Sequence, residues 1–213
     1  MPLLKLDLHV HTAGSPDAHT RIAELPEIIR ARGLDGLAVT EHNKFDPPDL
    51  SDVLIVPGVE ISSQDGHVLA LGVRELIPSG LSADETITRI HDQGGIAIIP
   101  HPHDPVSPRV KIANLKVRPD AVETVNSDAL SFHISNWLAR RDARSFDLPQ
   151  VGGSDSHIPE SIGDAYTVVD SNSRDVRGVL DAIKAGRVYA EGHATSIRNK
   201  MRKLRRKYDK KKN

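Results

Sequence analysis

The chain has 213 residues, of which 38% are hydrophobic and 27% are charged, a composition typical of one globular domain with a sizeable core. It contains no cysteine, which excludes disulfide bonds and thiolate metal sites, so any metal would have to be held by histidines and carboxylates. The formal net charge is −1, and no apolar stretch approaches the roughly 20 residues of a membrane span, which favours a cytoplasmic protein.

Short apolar runs alternate with segments of helical spacing along the chain. The apolar runs predict strands over residues 4–10, 36–40, 53–56, 67–73, 96–99, 121–125, 150–153 and 165–169. Helices are predicted over 21–32, from the capping residue Ser82 to Gly94, and from the capping residue Ser173 through Ala185, with Gly186 ending the last one. Such alternation is typical of repeated βα units.

Seven or eight βα units fit into residues 1–196, whereas a complete eight-fold barrel takes about 250 residues. The sequence therefore predicts a compact, irregular α/β barrel over residues 1–196. In such folds, the side chains that carry chemistry lie where the strands end.

The first polar cluster is Asp7-Leu8-His9-Val10-His11, at the end of the first predicted strand. Strand alternation would send Asp7, His9 and His11 to one face, where two imidazoles can share a cation. Asp7 could then accept a ring N–H and fix the tautomer of a ligand histidine. A pair of exposed histidines at a strand end is the alternative interpretation.

The pattern recurs at other strand ends. Thr40-Glu41-His42, Pro57-Gly58-Val59-Glu60, Pro100-His101 and Gly153-Ser154-Asp155-Ser156-His157 each follow or end an apolar run. Because strand ends of a barrel meet at one mouth, we expect these side chains to converge on a metal site.

These stretches, with Asp7-Leu8-His9-Val10-His11-Thr12, His67-Val68-Leu69-Ala70-Leu71-Gly72 and His101-Pro102, resemble the motifs of the polymerase and histidinol phosphatase (PHP) family, in the family's order. The resemblance covers most of residues 5–185 and implies a distorted (β/α)7 barrel that binds two or three divalent ions of zinc, manganese or iron. The family usually has Thr-Asp-His where this chain has Thr40-Glu41-His42.

The resemblance also implies a ligand set. His9, His11, Glu60 and Asp155 would hold the first metal, Glu60 would bridge to a second held by His67 and His101, and Asp17, His42 and His157 would hold a third. Asp17 is the preferred ligand in its segment, although Ser15 or His19 could take its place because an extra proline alters the spacing.

A site of this kind generates hydroxide near neutral pH, so the expected reaction is attack of a metal-bridging hydroxide on a phosphate ester. Asp155 and His157 are then catalytic as well as ligating. His103 is a candidate general acid, with an exposed loop histidine as the alternative. Arg109 and Lys111 are candidate substrate-binding residues or ordinary surface charges.

Two other features are less specific. Asn126, at the end of a predicted strand, could bind substrate or cap the following turn. Phe132, Ile134, Trp137 and Leu138 are expected to form a helix face packed on the barrel.

The segment 197–213 is predicted to form a basic C-terminal helix or tail. Residues 198–213 hold ten lysines and arginines and one acid, which leaves a net charge of −10 on residues 1–197. Four apolar residues, Ile197, Met201, Leu204 and Tyr208, recur at helical spacing and could dock on the barrel. The basic faces could contact nucleic-acid phosphates, or the helix could simply be solvated.

The expected function is hydrolysis of a phosphorylated small molecule or of the 5′-terminal nucleotide of a short nucleic acid. A histidinol-phosphate phosphatase is an alternative within the family. A non-catalytic RNA-binding barrel like that of ribonuclease P, and a metal-dependent amide hydrolase, are alternatives outside it. A degenerate barrel should have lost ligands, whereas all nine positions here hold competent side chains.

Overall fold

The strands form a nine-stranded sheet that curls into a nearly closed barrel. The computed structural model describes residues 3–210. Its strands are β1 (Leu3–Val10), β2 (Gly36–Val39), β3 (Leu54–Ser62), β4 (His67–Leu71), β5 (Ile96–Ile99), β6 (Ala121–Asn126), β7 (Gln150–Gly153), β8 (Ala165–Asp170) and β9 (Val188–Gly192). Its helices are α1 (Leu25–Arg32), α2 (Ala83–Asp92), α3 (Phe132–Ser145), α4 (Val176–Lys184) and α5 (Ile197–Lys210).

The strand order is β7-β6-β5-β4-β3-β2-β1-β8-β9. Pairs β1–β2, β2–β3, β5–β6 and β6–β7 are parallel, whereas β4 runs antiparallel to both neighbours and β8 runs antiparallel to β1 and β9. The segment after β7 returns to the end of β1, where Asp155 N donates to His9 O at 2.8 Å and His11 N donates to Ser156 O at 2.9 Å. The predicted α/β barrel is confirmed.

All eight predicted strands are present, and β9 is an additional one. β9 lies at an edge of the sheet with all five of its residues exposed or half-buried, so its sequence lacks the buried apolar run that marked the others. β3 also continues to Ser62, well past the predicted end at residue 56.

The helix ends follow capping chemistry. The Ser82 side chain accepts a hydrogen bond from Glu85 N and begins α2, as predicted. The prediction of Ser173 as the cap of α4 is wrong, because Asp175 fills that role by accepting from Gly178 N at 2.7 Å.

The apolar core occupies the interior and one end of the barrel. Leu4, Leu6, Leu69, Leu71, Ile96 and Ile98 from the strands pack with Val179 and Ile183 of α4. Two further clusters pack α2 and α1 on the outside of the sheet. Since apolar side chains fill this end, the mouth formed by the carboxyl ends of the parallel strands is left for polar groups.

Helix α3 packs through a different face from the predicted one. Of the predicted face, Phe132 and Leu138 are half-buried, whereas Ile134 and Trp137 are 66% and 63% exposed. The buried face consists of small and polar residues: Ser135, Asn136, Ala139 and Ala143.

Helix α5 also packs on the barrel through a face other than the predicted one. Its apolar residues Ile197, Met201, Leu204 and Tyr208 are 82%, 61%, 61% and 60% exposed, so the prediction that this stripe packs on the barrel is wrong. The basic face contacts the barrel instead, through Asp17, Asp128 and Glu160. Attraction between a basic helix and an acidic body accounts for this choice of face.

Within residues 3–210, no helix is long and apolar enough to cross a membrane.

Candidate metal centre

Side chains from six strand ends meet at one mouth of the barrel. His9 and His11 come from the end of β1, His42 from the segment after β2, Glu60 from β3, His101 from the segment after β5, and Asp155 and His157 from the segment after β7. β4 runs antiparallel to β3, and its first residue, His67, therefore starts at the same mouth. Eight of the nine predicted ligands arrive in this way, and Asp17 arrives on the loop after β1.

Glu60 is the centre of the cluster, and its side chain is buried. Its Oε1 lies 2.8 Å from His67 Nδ1, 3.1 Å from His101 Nε2 and 3.6 Å from His9 Nε2, and its Oε2 lies 2.8 Å from His42 Nδ1 and 3.5 Å from His11 Nε2. One carboxylate thus faces five imidazoles, which is the arrangement expected of a ligand shared between two cations.

Asp155 is the second central carboxylate. Its Oδ1 lies 3.6 Å from His9 Nε2 and 3.4 Å from His11 Nε2. Asp155 and His101 both have backbone φ angles in the left-handed region, 53° and 32°. Residues that are not glycine rarely adopt this conformation, and such strain is concentrated at functional sites.

A third group lies on the outer side of His11. Asp17 Oδ1 lies 3.8 Å from His42 Nε2 and 3.6 Å from His157 Nε2. Ser15, one alternative to Asp17, is engaged elsewhere: its hydroxyl donates to Glu41 and accepts from His42 N at 3.1 Å. The carboxylate that faces the two imidazoles is therefore that of Asp17.

The arrangement of these atoms fits metal ions. Four groups of three ligand atoms lie within 4.8 Å of one another: His9-His11-Glu60, His9-His101-Asp155, His42-Glu60-His67 and His11-His42-His157. In the described part of the chain, the buried atoms Asp17 Oδ1, Glu60 Oε2 and His67 Nδ1 have no hydrogen-bond partner. Buried polar atoms normally have a hydrogen-bond partner. A cation coordinated by these nitrogen and oxygen atoms would supply the missing interaction.

The electrostatics of the cluster favour bound cations. Burial acts to raise the pKa of Glu60, but the charge of His9 and the hydrogen bond from His101 hold that pKa well below its usual value. Burial lowers the pKa of His11 to about 3, which leaves the neutral imidazole that a metal requires. Burial opposes charge on His9 too, yet Asp155, Glu123 and Glu60 raise the pKa of His9 well above its usual value.

A buried carboxylate absent from the predicted set, Glu123 in β6, orients the first ligand. Glu123 Oε1 lies 3.0 Å from His9 Nδ1, and Oε2 accepts from His101 N at 2.9 Å. Hydrogen bonds to the second ring nitrogen fix the tautomer of a ligand histidine. The signal in the sequence was a glutamate in the middle of the apolar run 121–125, every residue of which is buried.

Asp7 does not have the predicted role. Its carboxylate accepts backbone N–H groups of Ser154 at 2.8 Å, Gly163 at 2.8 Å and His9 at 3.3 Å, so it binds no imidazole ring. The β1–β2 register shifts between Asp7 and Val10, which breaks the simple alternation on which the prediction relied. Asp7 instead ties the β7 segment to β1, and burial raises its pKa to about 6.

Glu41 also supports the site. It accepts the backbone N–H of Thr12 at 3.0 Å and the hydroxyls of Thr12 and Ser15. The longer side chain at this position therefore organises the loop that carries Asp17.

Asn126 has one of its two predicted roles, that of capping the following turn. Its side-chain amide donates to Glu123 Oε2 at 2.8 Å and to Asp155 Oδ2 at 3.3 Å, while its oxygen accepts from Asp128 N and Ala129 N in the following turn. Because the residue is buried with all these groups engaged, it positions Asp155 and is not exposed for substrate binding.

Three predicted residues lie outside the cluster. His103 Nε2 lies 2.7 Å from Asp142 Oδ2 of α3, so its ring is turned away from the metal ligands. Arg109 and Lys111 are exposed and line a separate cavity of about 270 Å³ with Asp65. The loop after His101 passes beside the first residue of β4, where His67 N donates to Pro108 O at 3.4 Å, a contact that nearness in sequence could not show.

Comparisons with known proteins agree with this architecture. The family model PHP_C, described as PHP-associated, matches residues 133–188. The uncharacterized protein MJ1587 of Methanocaldococcus jannaschii is 32% identical over 141 residues, which cover 58% of this chain and 82% of the relative.

Two solved structures share the fold. A two-domain protein from Bacteroides vulgatus, described as containing a predicted PHP-like metal-dependent phosphoesterase, has a TM-score of 0.68 at 19% identity, covering 98% of this chain and 70% of that one. A lesion-specific endonuclease from Pyrococcus furiosus has a TM-score of 0.64 at 14% identity, covering 89% of this chain and 58% of that one. Ligand motifs, barrel and relatives lead to one conclusion: the chain belongs to the PHP family.

Proposed function

We propose that this protein is a metal-dependent phosphoesterase that hydrolyses a phosphomonoester or releases the 5′-terminal nucleotide of a short nucleic acid. The observation that carries the proposal is the position of Glu60, whose two oxygens face five imidazoles at the mouth of the barrel. A structural metal site is closed by four ligands, whereas this cluster offers more donors than one ion can use.

The proposed ligands divide into three sets. His9, His11, Glu60 and Asp155 would hold one divalent ion, Glu60 with His67 and His101 a second, and Asp17, His42 and His157 a third. Zinc, manganese and iron all suit imidazole and carboxylate donors. Bound there, such ions lower the pKa of water and neutralise charge on a phosphoryl group.

The residues of the chain supply orientation around this centre. Glu123 holds His9 by its Nδ1, which leaves Nε2 directed at Glu60 and Asp155. Asn126 holds the outer oxygen of Asp155. Ligand side chains that are held in position need little reorganisation during the reaction, and electrostatic catalysis depends on such preorganised groups.

The substrate class rests on the relatives and on the completeness of the site. One structural relative is described as containing a predicted phosphoesterase and another as an endonuclease, which supports both a small phosphate ester and a nucleic acid as the substrate. Histidinol phosphate is an alternative small substrate. A non-catalytic RNA-binding role is disfavoured, because all nine ligand positions hold side chains that can bind a metal.

Nucleic-acid contact through α5 is a narrower proposal than the sequence suggested. Lys203, Arg206 and Lys207 are paired with carboxylates of the barrel. Arg198 is exposed and is the candidate for phosphate contacts.

Elemental analysis of the purified protein, coupled to a phosphate-release screen, tests the function. The panel would contain histidinol phosphate, 3′,5′-bisphosphonucleotides, 5′-phosphorylated oligonucleotides and phosphotyrosine. We expect bound metal and turnover of at least one of these compounds. A protein that binds no metal, and is inactive across the panel after addition of manganese, zinc and iron, would contradict the proposal.

Single substitutions test the site itself. Glu60→Ala and Asp155→Ala should each abolish turnover and reduce the metal content, since each removes a central ligand. Asp46→Ala is the matched control, because Asp46 lies on the surface in an exposed ion pair with Lys44. Full activity in both ligand variants would refute the assigned centre.

A further inference from the structure

The basic face of α5 lies against the rim of the metal centre. Lys203 Nζ lies 2.6 Å from Asp128 Oδ2, and Lys207 Nζ lies 3.2 Å from Asp17 Oδ2. Arg206 forms a two-point contact with Glu160 at 2.9 and 3.0 Å. The helix is thus held to the barrel by charge, with its apolar stripe facing outwards.

These contacts fall into two kinds. Arg206 binds Glu160, and Lys200 Nζ donates to the carbonyl oxygens of Asp128 and Ala129 at 3.0 Å, which anchors the helix on the barrel. Lys203 and Lys207 instead bind the carboxylates of Asp128 and Asp17.

Lys207 shares Asp17 with the candidate metal site. Asp17 Oδ1 faces His42 Nε2 and His157 Nε2, whereas Oδ2 faces Lys207. The two oxygens therefore have separate partners, and a cation on Oδ1 is compatible with the ammonium on Oδ2. Only the Asp17 carboxylate would then separate Lys207 from an ion held by Asp17, His42 and His157.

Lys203 is the more buried of the two, with only 20% of its side chain exposed. Its partner Asp128 lies in the turn that Asn126 caps, and Asn126 also binds Asp155.

The ammonium groups of Lys203 and Lys207 can bind an anion when the centre holds metal ions. Divalent ions bound there would neutralise the negative charge of Asp17, Glu60 and Asp155. These carboxylates would then no longer offset the positive potential of the two lysines at the mouth. A phosphate group carries excess negative charge and accepts hydrogen bonds from ammonium donors.

We propose that Lys203 and Lys207 of α5 bind the phosphate group of the substrate at the metal centre, so that the C-terminal helix completes the active site. The inference rests on the proposed function, because it assigns the recognition of the phosphate ester. It also gives the helix a role in small-substrate binding, beyond any contact with nucleic acid.

Binding of inorganic phosphate to the full-length, manganese-loaded protein tests the proposal without requiring turnover. Isothermal titration calorimetry would compare wild-type protein with Lys203→Ala, Lys207→Ala and the control Arg205→Ala. Arg205 is on the same helix, has the same charge and is exposed. Loss of one charge-assisted hydrogen bond should weaken phosphate binding about tenfold or more in each lysine variant, with less than about a twofold change in the control.

Further measurements separate phosphate binding from a structural role. Metal content and the thermal unfolding midpoint should stay close to wild type in Lys207→Ala, and Lys207→Arg should restore most of the phosphate affinity by restoring the cation. If Lys203→Ala does not fold, Lys203→Arg and the Lys207 variants still decide the question.

The outcomes distinguish this inference from the proposed function. Phosphate binding that is lost in the lysine variants of a protein without any phosphoesterase activity on the panel would support the inference and contradict the function. Turnover in wild type with phosphate affinity unchanged in the lysine variants would overturn the inference alone. Wild-type protein that binds manganese but no phosphate at millimolar concentration would also overturn it.

Discussion

Replacing Glu123 by glutamine should weaken metal binding although Glu123 is not itself a predicted ligand. Its carboxylate faces three donors: His9 Nδ1 at 3.0 Å, His101 N at 2.9 Å and Asn126 Nδ2 at 2.8 Å. A carboxylate accepts from all three, whereas an amide has one oxygen and a donating NH₂ group. Glu123→Gln therefore preserves the shape and makes one of the contacts unfavourable.

The size of the effect follows from where the amide nitrogen goes. Two donors lie on the Oε2 side, so the amide oxygen is expected to stay there and the NH₂ group to face His9 Nδ1. The proton of His9 then moves to Nε2, the nitrogen that faces Glu60 and Asp155. Loss of such an orienting partner typically costs about 10–100-fold in metal affinity, or about 1.4–2.8 kcal/mol.

Competition against a chelating dye would measure the affinity for zinc and manganese. Thr124→Val is the matched control: Thr124 is the next residue of the same strand, and within residues 3–210 its buried hydroxyl has no hydrogen-bond partner. We expect no more than about a twofold change in the control, and thermal unfolding would verify that both variants are folded. Wild-type affinity in a folded Glu123→Gln protein would refute the reasoning.

Other substitutions test the scaffold. Gly14→Ala would place a Cβ 2.9 Å from the Glu41 carboxyl, and should lower the free energy of unfolding by about 1–3 kcal/mol in urea titrations. Ser82→Ala and Asp175→Ala each remove a helix cap, and should cost about 1 kcal/mol in the same assay. Leu71→Ala should cost about 2–5 kcal/mol, since Leu71 is fully buried. Removing metal with a chelator should lower the unfolding temperature, because metal at 100 times its Kd adds about 2.7 kcal/mol; an unchanged temperature would argue against a site formed only in the folded state.

The sequence alone was sufficient to predict eight of the nine strands and to name the candidate ligands. Apolar runs mark buried strands, and the polar residues His42, His101 and Asp155 stand directly after them, so chain connectivity places these residues at one mouth. The nine ligand positions came from the family resemblance together with this pattern. Both signals are local, which explains why they can be read without a structure.

Contacts between distant segments could not be predicted in this way. Glu123 is 114 residues from His9, the histidine that it orients. Asp7 was expected to bind an imidazole, but it accepts a backbone N–H group from the segment after β7. His103 illustrates the same limit: two residues from a ligand, its ring pairs with α3.

Helix α5 shows most clearly which properties depend on the sequence alone and which depend on the tertiary structure. Periodicity identified the apolar stripe and composition identified the basic charge, but neither indicates which face meets the barrel. The sequence determined an amphipathic basic helix and the residues of the candidate metal cluster. The tertiary structure decided that Lys203 and Lys207 lie on the acidic rim, because electrostatic attraction depends on where the carboxylates of Asp17 and Asp128 are brought in space.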